Sequence, residues 1–505
     1  MATMQSARGL RRFVGKFRWI HVAPVLAVLT LTAWAFASPI GAGPDDDYHL
    51  VSTWCALGGS DACTAGTKMD TREVSTAFTS VICYAHNSSQ SAACQDTIGL
   101  ALDGPKYETD RGNFHHEYPA VYYAAMHVFA GNDLVRSALV MRLVNLSLFV
   151  GLATALAVLL PASRRQTLLW GWLVSLVPLG VFLIPSNNPS GWAITGVGTA
   201  FLALLGWFES SGKRRWALGA LYVVGILMAA GARGDGAVYA AGATVVASLL
   251  TWSRQRDWLL RAILPAAGLI VIVLLFRTST QADVGVHGFL GGTQVVTANL
   301  GAQADGGFAL AAYNILMLPF LWTGVWGTWA LGWFDTELPP IVPWSAIAAF
   351  VVVAFAGLGL ATKRKAVAIA GVLTVLVVLP VYVLTKGNDS VGNQVQPRYL
   401  LPLIVLFALV LVTAPSGLST VRFTRVQTFA ILVALAIANM VSLRVNILRY
   451  VVGANEGGFN LGAGAEWWWH GVPFGPMAVW LGGSAAFAGL LAILWPELRR
   501  KVVAP

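Results

Sequence analysis

Residues 363–385, KRKAVAIAGVLTVLVVLPVYVLT, place three basic side chains directly before twenty residues that carry no charge. A helix of about 20 apolar residues spans the ~30 Å hydrocarbon core of a bilayer. Comparable apolar runs recur along the 505-residue chain, which is 56% hydrophobic and only 11% charged. A soluble domain of this size would need more charge to keep its surface hydrated. The sequence therefore predicts an all-α, polytopic membrane protein.

Basic residues cluster in the short connections between the apolar runs, and loops of this kind stay in the cytoplasm. With both termini on that side, twelve spans are predicted, at about 19–38, 134–160, 168–185, 190–208, 217–232, 236–252, 258–276, 343–362, 366–385, 398–414, 427–445 and 474–495. The predicted cytoplasmic clusters are residues 163–165, 211–215, 253–256, 363–365, 421–425 and 497–501. The net charge of +10 thus reflects membrane orientation, and no nucleic-acid partner is expected.

Two large outer loops interrupt the predicted membrane helices. The expected order is a cytoplasmic tail (1–18), the first transmembrane helix (19–38), an outer acidic loop domain (39–133), transmembrane helices 2–7 (134–276), an outer loop with an interfacial helix (277–342), transmembrane helices 8–12 (343–496) and a cytoplasmic tail (497–505). The apolar stretch 311–333 is predicted to be interfacial or re-entrant, because a crossing there would move the basic residues 363–365 outside. Its tryptophans recur at helical spacing, which suits an amphipathic helix at the headgroups; they are Trp322, Trp326, Trp329 and Trp333.

The outer loop 39–133 concentrates both acidic residues and cysteines. It carries nine Asp and three Glu against two Lys and two Arg, which is more than half of the chain's 23 acidic residues. All four cysteines of the protein lie in this loop. Four cysteines allow three pairings; the two local pairs, Cys55–Cys63 and Cys83–Cys94, are favoured, with four free thiols as the alternative. Disulfides would place the loop on an oxidising, outward face.

The same loop opens with PDDDYHL, residues 44–50, only a few positions after the first apolar run. Asp45 and His49 are four residues apart, so on a helix they would share one side with Asp46 close by. A carboxylate near an imidazole can accept a proton, orient a nucleophile or hold a divalent cation such as Mg²⁺, Mn²⁺ or Ca²⁺. The structural alternative is a helix start, where Asp is stabilised by the helix dipole. That alternative explains one carboxylate better than three.

Further candidates are aromatic or polar side chains beside predicted spans. The segment NFHHEYPAVYYAAMH, residues 113–127, offers His116, Glu117 and Tyr118 before a helix that Pro119 would begin. The alternative for this segment is an ordinary polar helix entry with aromatic residues at the headgroups. In EWWWH, residues 466–470, Trp468 and its neighbours are either such belt residues or a platform for sugar stacking.

Basic residues are scarce on the predicted outer face. Arg398, which is followed by Tyr399, stands at the mouth of a span, and Lys386 and Arg233 occupy similar positions. A cation there can pair with phosphate. The alternative is that each side chain extends to the lipid headgroups without a specific ligand.

Five short motifs follow one another along the chain: PDDDYH (44–49), EYPAVYY (117–123), NPSG (188–191), RGD (233–235) and QPRYLLP (396–402). Together they resemble the GT-C superfamily of membrane glycosyltransferases, and more narrowly a bacterial GT-C-like membrane family of unknown function. That family carries P-D-E-x-x-H, H-P-P-x-Y-Y, an Asn-Pro-Asp-Gly-like turn, an Arg-x-Asp-like turn and Q-G-R-Y-x-x-P. In this chain Asp46 stands where Glu is frequent, Ser190 replaces the turn's Asp, and Pro397 replaces Gly.

The resemblance implies a GT-C-like fold with about twelve spans, and a reaction. A sugar would pass from a polyprenyl-phosphate donor to a cell-envelope glycan or lipid acceptor, usually with inversion. The site would face the extracytoplasmic side of a bacterial plasma membrane. Asp45 would act as base, Asp46 as its partner or as a ligand of a divalent cation, and His49 would orient one of them.

The resemblance also implies where the donor and the acceptor bind. Arg398 would hold the donor phosphate, with Lys386 or Arg233 as further phosphate ligands. Membrane lipids would surround the carrier chain. The expected substrate contacts are His116, Glu117, Tyr118, Tyr399 and Trp468.

Two other functions compete with glycosyl transfer. Twelve spans suit a transporter or flippase of lipid-linked saccharide equally well, but such proteins usually show charges near the membrane midplane and internal repeats. In this sequence the charges crowd the outer ends of spans and no repeat is visible. A non-catalytic scaffold with a disulfide-bonded outer domain would leave the motifs at 44–49 and 396–402 without a purpose.

Overall fold

A computed structural model describes residues 19–280, 307–392, 395–414, 421–454 and 458–500. The predicted cytoplasmic tail 1–18, part of the predicted outer loop (281–306) and the last residues, 501–505, lie outside this description. The described chain is mostly helical. Its helices from the first span to the second loop are α1 (Ala23–Phe36), α2 (Asp46–Trp54), α3 (Ala77–Ser80), α4 (Cys94–Ile98), α5 (Val121–His127), α6 (Leu134–Leu159), α7 (Ala162–Leu176), α8 (Leu179–Leu183), α9 (Ser190–Glu209), α10 (Gly212–Ala232), α11 (Gly234–Thr251), α12 (Arg256–Arg261) and α13 (Ile263–Phe276).

The second half of the chain continues with a further set of helices, and three short strands lie in the first loop. The helices are α14 (Phe308–Thr323), α15 (Ile341–Leu358), α16 (Lys363–Lys386), α17 (Pro397–Val412), α18 (Arg425–Val451) and α19 (Pro476–Leu498). The strands are β1 (Cys63–Ala65), β2 (Arg72–Ser75) and β3 (Lys106–Thr109).

Several of the long helices begin at sequence-encoded caps. Asp133 accepts a hydrogen bond from the Arg136 backbone at the start of α6 (2.9 Å). Thr424 and Gln427 form a reciprocal capping box at the start of α18. Such caps satisfy N–H groups that have no partner within the helix. The starts of these membrane helices are therefore fixed locally, by short polar residues beside the apolar runs.

Among the described residues, nine helical segments are long and apolar enough to cross a membrane. The protein is therefore a polytopic membrane protein, as predicted. Each of the twelve predicted spans overlaps a helix, but several of these helices, including α1 with 14 residues, α7 with 15 and α17 with 16, are shorter than the ~20 residues a full crossing needs. The number of crossings thus stays a prediction.

The ends of the long helices meet at two opposite faces. We call one of them the basic face and define it by Arg164, Arg165, Glu209, Arg364 and Glu497. Arg164 binds Glu209 (2.6 Å) and Arg165 binds Glu497 (2.9 Å), which joins α7 to the ends of α9 and α19. Arg364 donates a hydrogen bond to backbone at the end of α11. These contacts bring together the basic clusters that the sequence assigns to a single side.

We call the opposite face the disulfide face, because it holds residues 39–133. The start of α17 and the residues before α9 both bind this loop, since Arg398 and Asn188 donate hydrogen bonds to the Pro44 carbonyl (2.9 and 2.8 Å). The end of α18 binds it too, through Arg449 and the Tyr84 carbonyl (2.9 Å). The start of α17, the turn before α9 and the end of α18 therefore all meet the first loop on this face.

Helix α9 lies at the centre of the bundle, and its whole candidate span is buried. A helix that is apolar all round belongs inside a bundle. It packs tightly on α10, because a Cβ built on Gly196 would lie only 2.5 Å from the Gly225 carbonyl oxygen and 2.6 Å from the Ala229 nitrogen. Small residues allow this close approach of two membrane helices. The close contact between α9 and α10 thus depends on glycines, which have no side chain to separate the two backbones.

The segment Phe308–Trp326 is one of the nine apolar segments that could cross by length. Its contacts indicate a different path. Asn314 donates to the Asp389 carbonyl (3.0 Å), just after α16 ends on the disulfide face. Trp322 donates to the Leu376 carbonyl (3.2 Å), about 15 Å deeper along α16. The chain therefore descends beside α16 as a re-entrant segment would.

The chain then returns to the disulfide face before α15 begins. Trp333 donates a hydrogen bond to the Gly41 carbonyl there (2.8 Å), and Trp326 donates to Val174 (2.9 Å). Trp326 is 5% exposed and Trp333 is 8% exposed. This differs from the predicted interfacial helix, whose tryptophans would face the headgroups. These two indoles lie inside instead, because buried backbone carbonyls accept their N–H groups.

The first loop is an ordered domain with two disulfides. Cys55 pairs with Cys63 and Cys83 pairs with Cys94, so the predicted local pairs are confirmed and no cysteine is free. Strands β1, β2 and β3 form a three-stranded antiparallel sheet in that order. The sequence predicted no strands, and the protein is mostly rather than wholly helical. Each strand has only three or four residues, too few for a visible alternation of apolar and polar side chains.

Candidate functional site

The three consecutive carboxylates at the start of the first loop have different surroundings. Asp46 and Asp47 form the first turn of α2, where the helix dipole stabilises negative charge. Asp45 precedes the helix with φ of 60°, a left-handed conformation that Asp tolerates better than most residues. The side chain of Asp45 is 34% exposed and that of Asp47 is 8% exposed, whereas Asp46 is fully buried. Asp45 is therefore the carboxylate that a substrate can reach.

Two arginines bind the Asp45 carboxylate. Arg398 Nη2 donates a hydrogen bond to Oδ2, and Arg111 Nη2 donates to Oδ1 over 3.5 Å. Burial alone would raise the pKa of Asp45, but the charges of Arg398 and Arg111 outweigh it and hold the pKa below its usual value. Asp45 is therefore ionised at neutral pH.

Arg398 lies at the start of α17, directly after Pro397, and its side chain is 3% exposed. Besides binding Asp45, it donates to the Pro44 carbonyl (2.9 Å) and to the Tyr399 hydroxyl (3.0 Å). Its Nε is buried and finds no acceptor within the described parts of the chain. A buried guanidinium with an unused N–H is suited to an anionic ligand.

A second buried guanidinium lies close to the first. Arg233, between α10 and α11, is held by both oxygens of Asp235 (2.8 Å each), and its Nη1 is buried without an acceptor in the described structure. Its Cζ lies 4.5 Å from the centroid of the Tyr399 ring, and Arg398 Cζ lies 5.0 Å from that centroid. Tyr118 covers Arg233 on another side (5.4 Å). We name this group the Asp45 cluster: Asp45, Arg111, Arg233, Arg398 and Tyr399.

The turn before α9 holds the backbone next to the Asp45 cluster in place. Asn188 donates to the Pro44 carbonyl (2.8 Å) and accepts from the Ser190 backbone (2.9 Å), so it fixes the residue that precedes Asp45. Asn187 is 2% exposed, and neither polar atom of its amide has a hydrogen-bond partner in the described ranges. Leaving such a group unpaired costs about 1–3 kcal/mol. Unpaired buried polar groups are rare enough to point to a ligand or a bound water.

The cavity against Arg398 is small. Its volume is about 20 Å³, enough for roughly one water molecule. A sugar phosphate would therefore have to displace side chains to enter. Asp45 is the partner of Arg398 that solvent reaches, so it is the group that an incoming anion would displace. The cavity wall includes Pro44, Leu179, Phe182, Trp329, Gln396 and Arg398.

A protein-family model described as "Predicted membrane protein (DUF2142)" matches residues 28–407. The chain belongs to this family. The match covers the entire Asp45 cluster, and α18 and α19 lie beyond it. No curated protein and no solved structure matches the chain. Membership of DUF2142 agrees with the multi-pass architecture and names no reaction, so glycosyl transfer stays a prediction.

Two of the predicted catalytic residues of this DUF2142 protein do not contact Arg398. Asp46 accepts a hydrogen bond from the Gly43 backbone (3.0 Å), and burial raises its pKa to about 7. His49 bonds through Nδ1 to the Tyr123 hydroxyl (2.8 Å), and burial lowers its pKa to about 3, so it is neutral. His49 makes no hydrogen bond to either carboxylate among the described residues. The geometry favours a structural role for both.

The predicted substrate residues divide into two groups. Tyr118 and Tyr399 flank Arg233 in the cluster. Glu117 is exposed and accepts a hydrogen bond from the Tyr48 hydroxyl (2.6 Å), while His116 is exposed beside it. Glu117 is thus linked to the cluster through Tyr48, whose ring centroid lies 5.9 Å from Arg111 Cζ.

Two further predicted residues lie elsewhere. Lys386 is exposed at the end of α16 and makes no hydrogen bond or ion pair to the Asp45 cluster in the described chain. Trp468 is buried against Tyr450, with ring centroids 6.1 Å apart. The structure therefore brings Asp45, Arg233 and Arg398 together but leaves these two side chains apart.

Sequence reasoning missed Arg111 and the Asn187–Asn188 turn. Arg111 binds Asp45 and also both oxygens of Asp47. The sequence did indicate that Arg111 could bind a carboxylate, because it is one of only two arginines in an acidic loop. Asn188 carried a weaker signal, the NPSG motif, which does not show that the amide binds Pro44.

The residues that were predicted to hold a divalent cation do not fit one as they lie. The Asp45 oxygens bind two arginines, and an Asp46 oxygen binds backbone. Within the described residues, no group of three or more His, Cys, Asp or Glu side chains is arranged to hold a metal ion. The binding of a divalent cation thus stays a prediction.

Proposed function

We propose that this protein transfers a sugar from a polyprenyl-phosphate donor to a glycan or lipid acceptor at the disulfide face, with Asp45 as the general base. The observation that carries the proposal is the pairing of partly exposed Asp45 with buried Arg398 at the start of α17. In this reaction the base and the phosphate ligand must both lie close to the same sugar carbon, because the acceptor attacks the carbon that the phosphate leaves. The face is proposed to be the extracytoplasmic side of a bacterial plasma membrane.

The donor phosphate would bind the two guanidinium groups that flank Tyr399. Arg398 Nε and Arg233 Nη1 are both buried and have no acceptor among the described residues. Charge-assisted hydrogen bonds from arginine to phosphate are short and strong. The donor is a phosphodiester with one negative charge, and a second charge develops on the phosphate as its bond to the sugar breaks, so two cations suit the leaving group better than one.

Phosphate binding would release the base. When a phosphate takes the place of Asp45 on Arg398, the carboxylate loses the strongest cation that lowers its pKa. The pKa of Asp45 then rises, and a carboxylate with a higher pKa accepts a proton more readily. Donor binding would in this way activate Asp45 only when there is a sugar to transfer.

The chemical step balances with these groups. Asp45 takes the proton of the acceptor hydroxyl, whose oxygen forms a bond to the anomeric carbon. The bond from that carbon to the phosphate oxygen breaks, and polyprenyl phosphate leaves with the electron pair. Arg398 and Arg233 stabilise the charge on the leaving group. A positioned base typically contributes about 10²–10⁴-fold to the rate of such a step.

An apolar groove of about 580 Å³ supports a lipid-borne donor. It is bounded by α1, α6, α7 and α19 and reaches Val181 of α8, whose next residue, Phe182, lines the small cavity at Arg398. An isoprenoid chain is apolar and flexible, so a groove of this kind suits its tail. The tail would lie in the groove while the phosphate enters the cluster.

Lipid analysis tests the proposal without knowledge of the acceptor. Protein purified from its native membrane should retain an isoprenyl-phosphate sugar, measured by mass spectrometry of the extracted lipid. Arg398→Gln should lose that lipid, because the phosphate loses its cation. Lys386→Gln is the matched control, since it removes an exposed cation outside the cluster. Equal retention by all three proteins would contradict the proposal, and transport of an intact lipid-linked saccharide without sugar transfer would replace it with the flippase reading.

A further inference from the structure

A polar cavity lies on the basic face, at the opposite end of the bundle from the Asp45 cluster. Its volume is about 330 Å³. It forms where the starts of α7 and α16 meet the ends of α11 and α17. Its lining residues are Arg164, Leu250, Thr362, Lys363, Arg364, Lys365, Thr413 and Ala414.

The charges around this cavity do not balance. Of its four cations, Arg164 is neutralised by Glu209, which it binds through Nε and Nη2. The other three, Lys363, Arg364 and Lys365, form no ion pair with a carboxylate within the described chain. The cavity therefore carries about three uncompensated positive charges.

Lys365 makes the imbalance costly, because it is only 1% exposed. Its Nζ donates to the carbonyls of Gly357 (2.8 Å) and Leu411 (2.6 Å). An ammonium has three donors, so one remains for a ligand. Buried charges are normally paired with a counter-charge, and none of the described side chains supplies one here.

The helix dipole adds to the same imbalance. Lys363–Lys365 forms the first turn of α16, which contains no acidic residue. The start of a helix carries a partial positive charge and favours anions rather than cations. An anion in the cavity would offset both the dipole and the lysine charge.

We propose that this cavity binds the phosphate headgroup of an anionic membrane lipid. The site lies at the ends of membrane helices, at the level where headgroups are found. Arg364 supports that level, because its Cζ lies 5.4 Å from the centroid of the Trp252 ring and tryptophan is enriched at membrane interfaces. Leu250 gives the cavity an apolar edge, against which a lipid chain can continue into the bilayer. Basic pockets between membrane helices on one face are a recurrent mode of anionic-lipid binding.

Thermal unfolding in detergent tests the proposal with defined probes. Phosphatidylglycerol should raise the melting temperature by roughly 3–5 °C at saturation, as expected for a ligand that binds only the folded state. Phosphatidylcholine and inorganic phosphate should each leave it nearly unchanged. The double variant Lys363→Gln/Arg364→Gln should lose the response, since it removes two exposed cations of the cavity and leaves the buried Lys365 in place.

A matched control separates a site from general surface charge. Lys213→Gln/Arg256→Gln removes two exposed cations outside the cavity on the basic face and should keep the full response. Native mass spectrometry should also show one fewer retained phosphatidylglycerol in the cavity variant than in the control. An equal loss in both variants would overturn the proposal, as would an equal effect of inorganic phosphate, which would make the ligand a free anion. The test involves neither sugar nor Asp45, so its outcome is independent of the proposed transferase activity.

Discussion

Replacing Asp45 by asparagine should separate phosphate binding from sugar transfer. The amide keeps the shape of the carboxylate but carries no charge. Arg398 then loses its anionic partner, and the acceptor hydroxyl loses its base. The variant should therefore bind an isoprenyl phosphate more tightly and transfer sugar more slowly.

The size of the binding effect follows from the exposure of the ion pair. Arg398 is 3% exposed, whereas Asp45 is 34% exposed. Hydrogen bonds to charged groups contribute about 1.5–3 kcal/mol when buried, and exposed ion pairs about 0.2–1 kcal/mol. We take about 1 kcal/mol as the free energy of this partly exposed ion pair, and its loss corresponds to an approximately fivefold lower Kd for the phosphate. Transfer should fall by about 10²-fold or more, the contribution of a general base.

Isothermal titration with geranyl phosphate measures the binding half of this prediction. The short isoprenyl chain keeps the probe soluble, so partition into the membrane does not obscure its affinity. Asp103→Asn is the matched control, because it removes an exposed carboxylate from the same loop outside the cluster. If Asp45→Asn weakened geranyl phosphate binding as much as Arg398→Gln does, the reasoning about exchange on Arg398 would be refuted.

Three further predictions concern the fold. Burial raises the folded-state pKa of Asp46 to about 7 from an unfolded value near 4, so the folded protein binds this proton more tightly. The contribution of Asp46 to the free energy of unfolding should therefore be fully present below about pH 4 and should be lost as the pH rises through 7. Asp46→Asn should flatten this decline when the melting temperature is measured across the pH range. Gly196→Ala should destabilise the α9–α10 contact by about 1–3 kcal/mol in denaturation of the reconstituted protein, whereas Gly242→Ala, whose Cβ would meet nothing within 4 Å, should not; similar losses would contradict the packing argument. Single cysteines at Phe308 and Leu338 should react with a membrane-impermeant thiol reagent from the same side, and opposite sides would rule out the re-entrant path.

The sequence predicted what depends on local composition. Helix positions followed from apolar length, and the pairing of Cys55 with Cys63 followed from their separation of eight residues. The strand β2 was not predicted, because four residues give no readable period. The burial of Trp326 was missed as well, since its indole N–H finds a carbonyl on a distant helix.

The candidate site depends on contacts that no local pattern encodes. Asp45 and Arg398 are 353 positions apart, and their meeting was predicted only from the placement of charge and from the resemblance of their motifs to a known family. The bond from Arg111 to Asp45 spans 66 positions and belongs to no motif. Charge placement predicted that these groups would lie on one face, but tertiary packing decided which of them touch.

Sugar transfer by the purified protein tests the central proposal most directly. The protein, reconstituted in lipid nanodiscs, would receive an isoprenyl phosphate carrying a radiolabelled sugar together with extracted envelope glycans and lipids as acceptors. We predict label in the acceptor fraction with wild type and with Asp103→Asn, and a loss of about 10²-fold or more with Asp45→Asn. Transfer by Asp45→Asn at the wild-type rate would contradict the assignment of Asp45 as the base, and no transfer by wild type would contradict the proposed function itself.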